Sequence, residues 1–139
     1  IGMDSLSRVQ RVYCSTVFEK CSEGARMKVR DFRKQRAELT KLTLDRANLN
    51  IKRFFALDTA AYNEGALSAK HKELMGLVAS MVLRCDDCIC YHLDQCFDAG
   101  VSMDELQEAM NIALVVGGSI VIPHLRRAMA YWEELLTTS

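Results

Sequence analysis

A single proline, Pro123, stands in 139 residues, glycine is sparse at seven, and no stretch alternates apolar and polar side chains as a half-buried strand does. These absences leave little room for sheet. Net charge is missing too: eighteen Lys and Arg balance eighteen Asp and Glu. No overall field draws the chain to nucleic acid or anionic lipid, so small molecules and protein partners are the better match. The longest apolar run, IALVVGGSIVI from Ile112 to Ile122, falls short of the roughly 20 residues a bilayer span needs and is split by two glycines. Neither a nucleic-acid nor a membrane partner is expected. The opening IGMDSLSRVQRVY carries charge and lacks an apolar signal-peptide core, which predicts a cytoplasmic protein. In that reducing compartment the six cysteines, Cys14, Cys21, Cys85, Cys88, Cys90 and Cys96, are not expected to form a structural disulfide framework. Catalysis, metal binding or burial must account for them.

Half of the residues are apolar, enough for one domain with a real core and too few for two. Apolar residues recur three and four apart, which predicts an all-α single-domain bundle of about six helices. Residues 4–22 read as a helix and Ser22-Glu23-Gly24 as a break, so 1–24 is taken as an N-terminal helical extension and 25–139 as the domain. A long charged helix follows from Ala25 to Arg46, with Val29, Phe32, Leu39 and Leu42 on its apolar side. A short helix over Ile51–Tyr62 ends at Asn63-Glu64-Gly65. Ser68 caps a helix to about Arg84 that buries Leu74, Leu77, Val78, Met81 and Val82, and Cys85-Asp86-Asp87-Cys88 opens the next, which stops at Gly100. Ser102-x-x-Glu105 is a capping box for a helix to about Val116. The pair Gly117-Gly118 separates it from a last helix to about Leu136. Short loops between helices imply antiparallel neighbours, with the two helices flanking the cysteine segment as a hairpin.

The segment CDDCICYH, Cys85 to His92, concentrates three thiols, two carboxylates and an imidazole. Residues three, four and seven apart share a helix face, so Cys85, Cys88 and His92 fall on one stripe. The helix start, with its unpaired N–H groups and dipole, stabilises a thiolate; Arg84 adds to this and Asp86 and Asp87 oppose it. His92 is placed to accept the Cys88 proton. If the chain turns back near Arg84, Glu73 and His92 are offset by only ~5 Å along antiparallel axes, a gap a water could bridge. Glu73 aligns with Gly76 and Ser80, small residues that would leave room for a pocket beside the thiols.

Glu73, eleven residues, then Cys85-x-x-Cys88-x-x-x-His92 resembles the active-site motif of the alkylhydroperoxidase D-like branch of the carboxymuconolactone decarboxylase family. The resemblance spans roughly Asn50 to Leu135, including KELMGLVAS, AGVSMDELQEA and the glycine pair. It implies a thiol-dependent peroxidase or disulfide reductase in which Cys88 attacks the peroxide, Cys85 resolves, and Glu73 with His92 form a water-assisted proton relay. The best-studied members carry a histidine before the second cysteine, where this chain has Asp87. The decarboxylase branch shares the helical fold without being defined by paired cysteines, so a lyase of that kind, or an oligomer with idle thiols, is the alternative. Implied partners are a hydroperoxide or other small-molecule substrate, an unidentified thiol or disulfide reductant, and further copies of the chain in a homo-oligomer, with a hexamer expected over a trimer.

Helix-start logic would make Cys85 the nucleophile; spacing favours Cys88, four residues from His92 where Cys85 is seven away. Cys85, taken as nearer the surface, would then meet the external reductant. A metal would need Cys85, Cys88, Cys90 and His92 to converge, yet Cys90 points some 100° away from its neighbours on a helix, so no metal is expected. No cofactor motif is present and no cofactor is expected. Cys96, Cys14 and Cys21 read as packing residues, His71 as solvent-facing, His124 as a core or interface histidine, and Tyr131 and Trp132 as packing or interface aromatics.

Overall fold

The computed structural model describes residues 28–138. The expected helix over 4–22, its break, and Cys14 and Cys21 lie outside these residues. The described residues form six α-helices and no strand: α1 Val29–Arg46, α2 Leu49–Ala61, α3 Ala69–Leu83, α4 Asp86–Asp98, α5 Met103–Gly117 and α6 Ile122–Thr138, with a 3₁₀ turn at Ser119–Val121 before the last. Pro123 falls in the first turn of α6, where its missing N–H is harmless.

The core lies between α3, α4, α5 and α6, where Leu77, Met81, Leu93, Leu106 and Trp132 are almost fully buried. α3 and α4 pack as the antiparallel hairpin that carries the cysteines, α5 covers α3, and α6 covers α4. Leu74, Val78 and Val82 are only partly buried against this core. The capping box forms in both directions: Glu105 N–H donates to Ser102 Oγ at 3.2 Å and Ser102 N–H to Glu105 Oε2 at 2.8 Å.

The first half of α1 belongs to this core and the second half does not. Val29 and Phe32 are buried, whereas Leu39 and Leu42, expected on the same apolar side, are more than half exposed at 55% and 52%. The half that packs is fixed by Asp94 of α4, a buried carboxylate that needs partners in a low-dielectric site. Arg33 grips it through Nε at 3.1 Å and Nη2 at 2.9 Å, and the Tyr131 hydroxyl donates to it at 3.1 Å. The hydrogen bond to Asp94 holds the Arg33 guanidinium above its usual pKa.

The turn between α3 and α4 is built by Arg84 in the left-handed region, φ 59° and ψ 39°. Its N–H donates to Met81 O at 3.1 Å and Cys85 N–H donates to Ser80 O at 3.0 Å, the pairing that closes a helix C-terminus where glycine is usual. A side chain with a Cβ is strained there by about 1–2 kcal/mol. Arg84→Gly should therefore keep the hairpin and raise unfolding stability by about 1 kcal/mol, read from the urea midpoint at constant slope; a lower midpoint would mean that Arg84 makes stabilising contacts of its own.

Candidate functional site

Cys85 occupies the N-cap of α4, and its Sγ accepts the Cys88 N–H at 3.3 Å, the role a serine or aspartate oxygen plays at most helix starts. Three residues on, Cys88 completes the first turn, and the two are joined as a disulfide with Cα atoms 5.3 Å apart. Cys88 is exposed and Cys85 is half-buried, which reverses the expectation that Cys85 lies nearer the surface. The reason is local: the chain at Cys85 is drawn into the end of α3 by its bond to Ser80 O, whereas Cys88 is rotated outward onto a cleft.

That cleft, about 430 Å³ in volume, lies between α1, α2 and α4. Cys88 and His92 both line it, with Phe32 and Arg36 of α1 and Phe55 and Asp58 of α2 forming part of its wall. The position corrects the expected pocket along the Glu73, Gly76 and Ser80 track. That track is filled by the His92 imidazole: a Cβ on Gly76 would stand 2.4 Å from His92 Cε1, so glycine is what lets α4 come this close to α3.

The close approach also removes the need for the expected water bridge. His92 Nδ1 donates directly to Glu73 Oε2 at 2.8 Å, with both residues buried at 7% and 6% exposure. A buried carboxylate fixes the imidazole orientation and tautomer, leaving Nε2 as the nitrogen able to take a proton. Two aromatic rings surround the imidazole, Tyr91 beside it on α4 with centroids 5.2 Å apart and Tyr62 at the end of α2 at 5.4 Å. Burial, reinforced by Glu73, pushes both phenols above their usual pKa. The Arg36 guanidinium lies over Tyr91, 4.0 Å from the ring centre.

On the other side of the α4 start, Asp86 accepts from His124 Nδ1 at 2.8 Å and pairs with Arg127 through Nε at 3.2 Å and Nη2 at 3.0 Å. Burial alone would raise the Asp86 carboxyl, but these hydrogen bonds outweigh it and hold the group below its ordinary value. Of the two acidic residues read as opposing a thiolate, Asp86 is thus countered by partners from α6, and Asp87 lines the cleft. His124 is an inter-helix hydrogen-bonding residue that joins α6 to the start of α4. His71 is exposed, with Nδ1 2.6 Å from Ser68 Oγ. Cys90 and Cys96 are buried, and desolvation pushes each thiol up to about 12, out of reach of ordinary thiolate chemistry. Among the described residues no group of three or more His, Cys, Asp or Glu side chains is arranged to hold a metal ion.

Glu73 is thus bonded to His92 and Cys85 to Cys88, and Cys88 and His92 share the lining of one cleft. Tyr62, Arg36 and Asp58 were missed by sequence reasoning because they come from helices with no local pattern linking them to the thiols. Tyr91 could have been suspected as the neighbour of His92.

The model of the carboxymuconolactone decarboxylase family matches residues 50–133, more than half of the chain. The chain belongs to that family. Among solved members it is similar to TM1620 of Thermotoga maritima, seen in two crystal structures. One is 61% identical with a TM-score of 0.75, covering 76% of this chain and 93% of that one. The other is 60% identical with a TM-score of 0.74, covering 76% and 90%, and is described as having a possible part in an antioxidative response. A family member from Legionella pneumophila, lpg0406, is 26% identical with a TM-score of 0.64, covering 76% of this chain and 91% of that one. An uncharacterised Cupriavidus necator protein is 30% identical over 76 residues, 55% of this chain and 67% of its own length.

No helix among the described residues is long and apolar enough to cross a membrane.

Proposed function

We propose that this family member is a thiol-dependent peroxidase or disulfide reductase working through the Cys85–Cys88 pair. The observation that carries the reading is the exposed Cys88 of a disulfide-forming pair, on the same cleft as an imidazole bonded to a buried carboxylate. In the reduced protein His92 Nε2 takes the Cys88 proton. The thiolate attacks a peroxide oxygen and the O–O bond breaks. Cys88 becomes a sulfenic acid, and the leaving alkoxide takes a proton to give the alcohol. Cys85 displaces hydroxide from that sulfur, giving water and the disulfide, and an external thiol pair returns both cysteines to thiols. The possible antioxidative role given for the Thermotoga protein supports this class of chemistry.

Mass spectrometry after dilute hydroperoxide should show the loss of two hydrogen atoms confined to the peptide holding Cys85 and Cys88. Untouched thiols in a peroxide-treated, fully reduced sample would sink the reading in favour of a non-redox role.

The same reading includes a homo-oligomer, expected as a hexamer. α3 and α5 leave Leu83, Val115 and Val116 exposed at 75%, 83% and 66%, and α2 buries no residue at all. Apolar surface of this kind is covered in stable soluble assemblies. Light scattering that gave a monomer mass would overturn it.

A further inference from the structure

We propose that Tyr62 is a positioning residue for His92, holding the imidazole in the orientation that serves Cys88. The inference rests on the peroxidase or reductase reading above, which assigns His92 as the base.

Three groups meet the imidazole from outside its own helix. Glu73 binds its Nδ1, Gly76 gives it space, and the Tyr62 ring lies 5.4 Å away, centre to centre, tilted by 39°. The hydrogen bond alone leaves a ring free to rock about the Nδ1–Oε2 line; a flat apolar surface against it removes that freedom, as aromatic contacts do elsewhere in cores. Tyr91 supplies another surface, but it is the adjacent residue on α4 and moves with His92. Tyr62 comes from the end of α2 and is fixed independently.

What fixes it is Lys72. The Lys72 ammonium donates to Ala61 O at 3.0 Å and Asn63 O at 2.7 Å, the carbonyls on either side of Tyr62. It thereby caps the negative end of α2 and pins the Tyr62 backbone to the first turn of α3. Glu73 is the next residue, so one turn of α3 places both the carboxylate that binds the imidazole and the ring that rests against it. The remainder of α2 buries nothing, which makes this end its anchor. The phenol is pushed up by burial and then by Glu73, so it stays neutral beside that carboxylate. A ring contact, not a proton, is what Tyr62 contributes.

The titratable and charged groups around His92 and Cys88 are Glu73 from α3, Tyr62 and Asp58 from α2, Tyr91 and Asp87 from α4, and Arg36 from α1. The test is the pH profile of Cys88 alkylation by iodoacetamide in the fully reduced full chain, followed peptide by peptide. His92→Ala should move the inflection to higher pH. Tyr62→Phe should match the unmodified protein, because it keeps the ring. Tyr62→Ala and Tyr62→Leu should shift the inflection in the His92→Ala direction and slow labelling at pH 7 by about fivefold, a fraction of what a general base contributes. Absence of label on Cys90 and Cys96 confirms that each variant is folded, and the Leu variant keeps apolar bulk should the Ala variant unfold. A merely structural role would lower the melting temperature without moving the inflection. If His92→Ala moves the profile and folded Tyr62→Leu does not, the positioning role is overturned while the parent reading stands. If His92→Ala itself leaves the profile unchanged, the base assignment fails and the role of Tyr62 fails with it.

Discussion

Cys88→Ser should end peroxide consumption, lowering the rate by at least about 10³-fold, in the range seen when a nucleophile is deleted. Cys85→Ser should instead leave a sulfenic acid on Cys88 that dimedone can trap. The asymmetry follows from where the two thiols stand. Cys88 opens on the cleft with His92, while Cys85 is half-buried at the helix cap. Serine at position 85 is a good N-cap, so α4 should start as before and the variant should report on chemistry and not on unfolding. In the reduced form the first turn of α4 still offers its N–H groups to a Cys88 thiolate. Trapping the sulfenic acid on Cys85 in a Cys88→Ser protein that still consumes peroxide would reverse the roles and leave the Glu73–His92 pair without a task.

The second large effect is expected at a residue with no reactive group. Gly76→Ala would set a methyl 2.4 Å from His92 Cε1 and 2.8 Å from both ring nitrogens, where ordinary contact begins at about 3.5 Å. The imidazole must retreat by roughly 1 Å, and with it the 2.8 Å bond to Glu73 is stretched or lost. Overpacking costs about 1–3 kcal/mol, and a buried carboxylate left without its donor adds a similar amount. A misplacement of that size at a reacting group lowers turnover by about 100-fold. Gly65→Ala is the control, since its methyl would meet only Lys72 Nζ at 3.7 Å. Thermal melts and peroxide consumption measured side by side check the prediction; a Gly76→Ala protein with normal activity and melting temperature would show that α3 can yield without disturbing His92.

Position 76 also marks where sequence reasoning stopped. The alignment of Glu73, Gly76 and Ser80 on one face follows from helical spacing, and so does the stripe of Cys85, Cys88 and His92 on the next helix. What small residues on that face would be used for does not follow: they could leave a pocket or admit a neighbour. The packing of α4 on α3 decided it, filling the track with His92 and replacing an expected water by a direct bond. The surface order of the two cysteines departs from the expectation for a related reason. Periodicity gives directions around one helix axis, but exposure depends on what stands opposite, and α1 and α2 left the Cys88 side open.

The sequence by itself determined the helical class, the hairpin around the cysteine segment, the caps at Ser68 and Ser102, and the residue types of the site. Each of these rests on interactions between residues within one or two turns of each other, whose geometry the backbone imposes wherever the chain folds. Tertiary structure alone decided that Tyr62 and Arg36 flank the imidazole and its neighbouring ring, that Asp94 ties α1 to α4, and that the cleft opens between α1, α2 and α4. Those contacts join residues far apart along the chain. Their pairing is selected by burial of shared apolar surface and by the need of buried charges for partners; apolar periodicity marks which face of a helix is buried but not which helix covers it.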